Sequence, residues 1–211
     1  MVSPLQTPEG VDTVLLDIGN VLASDYWETL LLTPDLGLAD LLHLDREHVN
    51  AVGVRLWQDF CRAPTHEHAY WARLAEELEV PITDEHLSQI EHLPRANPRA
   101  PEILADLAQR GARIGLISDN TSFWFTKQRA LIGFGELLDA EVVLLSFEHG
   151  VSKSDSPGLF ELAAGLVDPR RTLVVDDRTG NLSIAGRLGF HTFRYSMQDD
   201  EAVKSSTAPA T

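Results

Sequence analysis

Apolar and polar positions alternate along the chain with two different rhythms. Thr13-Val14-Leu15-Leu16 is apolar on both faces and ends abruptly at Asp17-Ile18-Gly19. A short run of this kind suits a central parallel strand covered by helices on both sides. Similar strands are expected at Arg113–Ile117, Glu141–Leu145, Thr172–Val175 and Phe190–Tyr195. Helical spacing separates them, at Glu102–Arg110 closing on Gly111, around Phe125, Ala130 and Leu131, from about Pro157 to Leu166, and at Asn181–Leu188 closing on Gly189. Strands alternating with helices imply an α/β fold built on a doubly wound parallel sheet.

One stretch breaks the alternation. From about Ser24 to Pro94 the period is helical throughout, as in Val49, Val52, Leu56 and Phe60, then Tyr70, Trp71, Leu74 and Leu78. Three to five helices are expected there, with Asp45 and Thr83 as N-caps and Pro34, Pro64 and Pro81 between them. The block reads as a small all-helical cap inserted after the first strand. The expected division is a catalytic core over residues 1–22 and 97–196, a cap over 23–96 and a disordered polar tail over 197–211. Residues 1–11 are expected to be a loose leader.

The 211 residues suffice for one sizeable core. A net charge of −15 argues against nucleic acid and anionic membranes as partners. A single cysteine, Cys61, rules out an intrachain disulfide and fits a reducing cytoplasm. No signal peptide or membrane-spanning run is evident.

The candidate chemistry lies at the strand ends. Asp17, Ser118, Lys153 just beyond the third strand, and Asp176-Asp177 would meet at one edge of the sheet, where open α/β folds bind their ligands. Clustered acids repel one another unless a cation holds them. Oxygen ligands of this kind suit Mg²⁺. Lys153 is one of only three lysines. A metal, an ammonium and a hydroxyl together make a site for a dianion such as phosphate.

Four segments carry a family resemblance: Asp17-Ile18-Gly19-Asn20-Val21-Leu22, Ile117-Ser118-Asp119-Asn120, Gly150-Val151-Ser152-Lys153, and Val175-Asp176-Asp177 followed by Asn181 and Gly186. Their order and spacing resemble the haloacid dehalogenase superfamily of hydrolases, with a Rossmann-like core, over roughly residues 12–195. Most members are Mg²⁺-dependent phosphatases. The first segment is similar to the Asp-x-Gly-Asn-Val branch, which includes bacterial glucose-1-phosphatase-like sugar phosphatases. The resemblance implies Asp17 as the nucleophile and Ser118, Asp119 and Lys153 as the residues that meet the substrate. It implies Mg²⁺ between Asp17, the Gly19 carbonyl and Asp177, with Asp176 as a further ligand or as an orienting group. The implied substrate is a small phosphorylated metabolite, and the protein would be a monomer or homodimer. Asn120 and Asn181 are expected to be turn and cap residues.

Two departures stand out. Most phosphatases of the superfamily carry a second aspartate, a general acid and base, where this chain has Gly19. Asp25, further along, is expected to N-cap the first cap helix, the alternative being that it reaches the site from the linker. The segment from Lys153 to Pro157 is about one residue longer than usual, which bears on the reach of the lysine. Carbon-attacking dehalogenases have no reason to gather acids at the fourth strand. Phosphonate-cleaving relatives need a cap lysine, and residues 22–97 contain none. A protein that retains the fold for binding or regulation is the remaining alternative. His66-Glu67-His68 is expected to be solvated helix surface, and Tyr26, Trp27, Trp57 and Trp71 to pack the cap, as is Cys61. Phe123 and Trp124 are candidates for substrate contact.

Overall fold

The structure is a computed structural model that describes residues 5, 7–134 and 136–199. Five parallel strands form one sheet in the order β3-β2-β1-β4-β5. They are β1 (Thr13–Leu16), β2 (Arg113–Ser118), β3 (Val143–Leu145), β4 (Thr172–Asp176) and β5 (His191–Arg194). The outward order from β1 reverses between β2 and β4, which makes the carboxyl end of β1 the topological switch point.

Between β1 and β2 lie α1 (Tyr26–Leu32), α2 (Leu38–Leu41), α3 (Arg46–Phe60), α4 (Glu67–Glu77), α5 (Asp84–Ile90) and α6 (Ala100–Gln109). Then come α7 (Ser122–Ile132) after β2, α8 (Ser146–His149) and α9 (Leu159–Leu166) after β3, and α10 (Thr179–Arg187) after β4. Short 3₁₀ turns at Ala140–Val142 and Pro169–Arg171 lead into β3 and β4.

The sheet buries both faces, as its unbroken apolar strands require. Val14, Leu16, Ile114, Leu116, Leu173 and Val175 pack with Ile103, Leu104 and Leu107 of α6. Leu15, Ile117, Leu144 and Val174 pack on the other face with Leu159, Phe160 and Ala185 from α9 and α10. Gly115 is required by close approach, since a Cβ there would lie 2.4 Å from the Val142 carbonyl oxygen. The helices α1–α5 bury a third apolar cluster of their own, including Tyr26, Trp27, Leu31, Val49, Leu56, Tyr70 and Leu74.

The chain enters and leaves this helical block along paired linkers. Ser24 N donates to the Arg95 carbonyl, and Asn97 N donates to the Leu22 carbonyl, both at 2.9 Å. Asn97 Nδ2 also donates to the Val21 carbonyl at 2.7 Å. Asp45 caps α3 through His48 N, and Thr83 caps α5 through His86 N, as expected.

Both chain ends depart from expectation. Leu5 is buried in the core although the leader was expected to be loose. Met197, assigned to a disordered tail, is buried and donates its N–H to the Asn20 carbonyl at 2.7 Å. Both residues are apolar in polar surroundings, which a composition reading averages away. Residues 200–211 lie outside the described residues. Among the described residues, no helix is long and apolar enough to cross a membrane.

Candidate active site

Asp17 immediately follows β1, and its N–H donates to the Val175 carbonyl at 2.9 Å, extending the sheet pairing by one residue. The carboxylate is thereby fixed at the switch point. The left-handed turn comes at Asn20 (φ 54°) rather than at Gly19. Asparagine is among the few side chains that tolerate this conformation.

Lys153 reaches the site in full. Its ammonium lies 2.9 Å from Asp17 Oδ1 and 2.7 Å from Asp176 Oδ2, and the side chain is 1% exposed. The extra residue in its loop is taken up downstream. Asp155 folds back to accept Ser152 N at 2.7 Å, Leu159 N donates to the Ser152 carbonyl, and α9 starts at Leu159 rather than at about Pro157. This tight loop requires Gly158, where a Cβ would lie 2.5 Å from the carbonyl oxygens of Ser152 and Asp155.

The two adjacent aspartates differ. Asp176 is fully committed: Oδ2 meets Lys153 Nζ, Oδ1 accepts Arg178 N at 2.8 Å, and Asn181 Nδ2 lies 3.1 Å from both oxygens. Its geometry is that of a clamp on the lysine and on the loop that follows. Among the described residues, Asp177 Oδ2 accepts only a long bond, 3.3 Å, from Asn20 Nδ2. Oxygens of Asp17, Asp176 and Asp177 come within 4.8 Å of one another, and this is the only such group of potential metal ligands among the described residues.

Burial dominates the electrostatics. It pushes the Asp17 carboxyl up to about 6 against the pull of the Lys153 ammonium, with Asp176 pushing the same way as burial. Burial raises Asp177 too, reinforced by Asp176. Asp119 rises to about 6 for the same first reason, although it accepts Lys153 N at 2.8 Å. Lys153 stays charged because the surrounding carboxylates outweigh its own burial. One ammonium thus faces three clustered carboxylates, and the surplus of oxygen donors and negative charge fits a hard divalent cation.

Ser118 and Asp119, at the end of β2, line the same small cavity as Asp17, Gly19 and Lys153. Asn120 is a turn residue as expected: Oδ1 accepts Thr121 N, and Nδ2 donates to Gln128 Oε1 at 2.7 Å. Asn181 differs from expectation, because it orients Asp176 instead of merely capping a turn.

Four participants were missed or misread in the sequence. Asn20 joins the loop after β1 to the loop after β4. Gln128 Nε2 donates to the Ser24 carbonyl at 3.1 Å and so ties α7 to the linker. Arg178 stacks on the Trp57 ring at 5.5 Å and pairs with Asp25 at 2.9 Å. Asp25 occupies the N-cap position of α1 but makes no cap bond, against the expected capping role. Its carboxyl faces the site and is raised to about 7, chiefly by burial. The asparagine beside the glycine of the first motif was the available signal for Asn20; nothing local marks the other three.

The aromatic expectations hold in part. Tyr26, Trp57 and Trp124 line the cavity beside Asp17. Trp27 and Trp71 pack within the helical block, with Phe123 packed against it. His66 and His68 are exposed. Cys61 is buried at the end of α3, and burial raises its thiol to about 11.

The cavity beside Asp17 measures about 30 Å³, room for roughly two waters. The helical block closes it through Arg62–Asp155, Glu67–Lys127 and Asp25–Arg178 ion pairs. A second cavity of about 520 Å³ lies farther out, between α1, α4 and α5.

The family model for haloacid dehalogenase-like hydrolases matches residues 11–189. The chain belongs to that family of hydrolases. No curated protein matches it in sequence. Among solved structures, a HAD family enzyme from Bacteroides thetaiotaomicron superposes with a TM-score of 0.65 at 18% identity, covering 93% of this chain and 99% of its own. The same enzyme was also solved in complex with magnesium and inorganic phosphate (TM-score 0.62, 18% identity, 89% and 95% covered). The L-2-haloacid dehalogenase RSc1362 superposes with a TM-score of 0.59 at 17% identity, covering 87% and 86%. These likenesses establish a shared fold.

Proposed function

We propose that this hydrolase is a Mg²⁺-dependent phosphatase acting on a small phosphorylated metabolite, sugar phosphates first. The first motif supports that substrate class through its similarity to the Asp-x-Gly-Asn-Val branch. The fold accommodates dehalogenation as well, so the choice rests on the donor set. The observation that carries it is the surplus of clustered carboxylates, Asp17, Asp176 and Asp177, over the one ammonium among them. Attack on a haloalkane carbon gives no use for that surplus.

Asp17, Asp177 and the Gly19 carbonyl would hold the cation. When bound, Mg²⁺ neutralises charge on the phosphoryl oxygens and on the nucleophile. Asp176 is placed to anchor Lys153 more than to ligate, since both its oxygens are taken. Asp17 attacks phosphorus in line and forms an aspartyl-phosphate that water then hydrolyses. Lys153 bridges nucleophile and phosphoryl group, the kind of charge stabilisation on which phosphoryl transfer depends. Ser118 donates to a phosphoryl oxygen, and Asp119 holds the Lys153 backbone. The cavity beside Asp17 shares Trp57, Asp119, Arg178 and Asn181 with a neighbouring one of about 350 Å³, and the helical block over it would exclude water from a bound substrate.

A screen of phosphorylated metabolites with Mg²⁺ or with chelator, run beside Asp17→Asn and a set of 2-haloacids, tests this reading. Mg²⁺-dependent phosphate release that disappears in Asp17→Asn supports it. Metal-independent halide release would make the protein a dehalogenase, and turnover of neither class would point to a binding role.

A further inference from the structure

We propose that Asp25 is the acid and base of this site, protonating the departing oxygen and later deprotonating the attacking water. The inference rests on the phosphatase reading above and deepens it.

Four observations place the carboxyl there. An ideal Cβ built on Gly19 would lie 3.4 Å from Asp25 Oδ2 and 3.7 Å from Asp25 Cγ. The carboxyl therefore fills the space beside the residue two positions after the nucleophile. It turns away from the first turn of α1, which it could cap, and makes no bond there. Arg178 holds it at 2.9 Å, and Arg178 is itself fixed by its N–H on Asp176 Oδ1 and by Trp57 beneath its guanidinium. The cavity that contains Asp17 also contains Asp25.

The other groups around that cavity are less suited. Lys153 is engaged by two carboxylates. The Tyr26 hydroxyl is raised to about 12, chiefly by burial. Asp119 is the one competitor, and it already accepts the Lys153 N–H.

The proton balance closes. In the first step an Asp17 oxygen bonds to phosphorus, and the bridging P–O bond breaks with its electrons on the alkoxide. The Asp25 carboxyl gives that oxygen its proton. In the second step a water oxygen attacks phosphorus, Asp25 takes one of its protons, and Asp17 leaves as carboxylate. Free alcohol, inorganic phosphate and the starting enzyme result.

The test compares an ester whose leaving group needs no proton, p-nitrophenyl phosphate, with one that does, glycerol phosphate, both with Mg²⁺. Asp25→Asn is expected to lose about 100-fold or more in kcat on glycerol phosphate and less than about 10-fold on the aryl ester. Asp25→Ser, a residue suited to an N-cap position, carries the same expectation should the asparagine variant fold poorly. Adding Gly19→Asp to Asp25→Asn brings a carboxyl into the same space and is expected to restore glycerol phosphate turnover. Equal losses on the two esters, no loss at all, or the leaving-group dependence appearing in Asp119→Asn instead would overturn the assignment. Wild-type turnover of p-nitrophenyl phosphate that vanishes in Asp17→Asn keeps the phosphatase reading whatever Asp25 does. A wild type inert on both esters removes that reading and this one together.

Discussion

The sheet edge and the helical block are built on opposite economies. At the sheet edge Asp176 is saturated, engaging Lys153, Arg178 and Asn181 with both oxygens. In the aromatic cluster formed by the block and Trp124 of α7, three buried polar atoms, Trp27 Nε1, Tyr70 Oη and Trp124 Nε1, have no hydrogen-bond partner among the described residues. A cavity of about 520 Å³ lies between the block's helices. A saturated polar network positions charge to a fraction of an ångström, because each displacement breaks several bonds at once. An aromatic cluster with spare donors and spare volume gives up that precision and keeps freedom to repack.

The largest expected effect breaks the saturated side at its centre. Asp17→Asn or Lys153→Ala should lower kcat/KM at least about a thousandfold while leaving the fold intact by circular dichroism. Asp176→Asn removes a partner from Lys153 without touching Asp17. A loss of about 10–100-fold is expected, the range usual for groups that orient a metal site, and steady-state kinetics will show it mainly in kcat.

A third prediction concerns pH. The carboxyls of Asp17 (about 6) and Asp25 (about 7) are raised from an ordinary 3.8, so the folded state binds protons more tightly than the unfolded chain. Without metal, stability is therefore expected to be greater near pH 5 and to fall as pH rises through 6 to 7, by about 1–3 kcal/mol. Urea denaturation in chelator at pH 5 and pH 8 measures this. Added Mg²⁺ should recover most of the loss at pH 8, and an unchanged midpoint would count against a cation between these acids.

The smallest effects lie in the helical block. Tyr70→Phe deletes a buried hydroxyl that has no partner among the described residues and should raise stability by about 1 kcal/mol, seen as a melting shift of roughly 2–4 °C. Asp45→Ala removes the α3 cap and should cost about 1 kcal/mol without changing kinetics. If Tyr70→Phe instead impairs turnover, the block's slack is part of the site, and the contrast between the two regions narrows.

The residues themselves determined much of this protein. Unbroken apolar runs specified a buried parallel sheet, and the reversal of order at β1 brought Asp17, Ser118, Lys153 and Asp176-Asp177 to one edge. These are consequences of period and of strand polarity, which local sequence encodes. Tertiary structure alone decided which of two neighbouring aspartates would be saturated, since the answer depends on Asn20, Lys153 and Asn181 arriving from two loops and the first turn of α10. It also decided that Asp25 would turn from its own helix toward Arg178, a residue 153 positions away. A helix start offers an aspartate a modest local bond, and only the folded chain brings the Arg178 guanidinium within 2.9 Å of it.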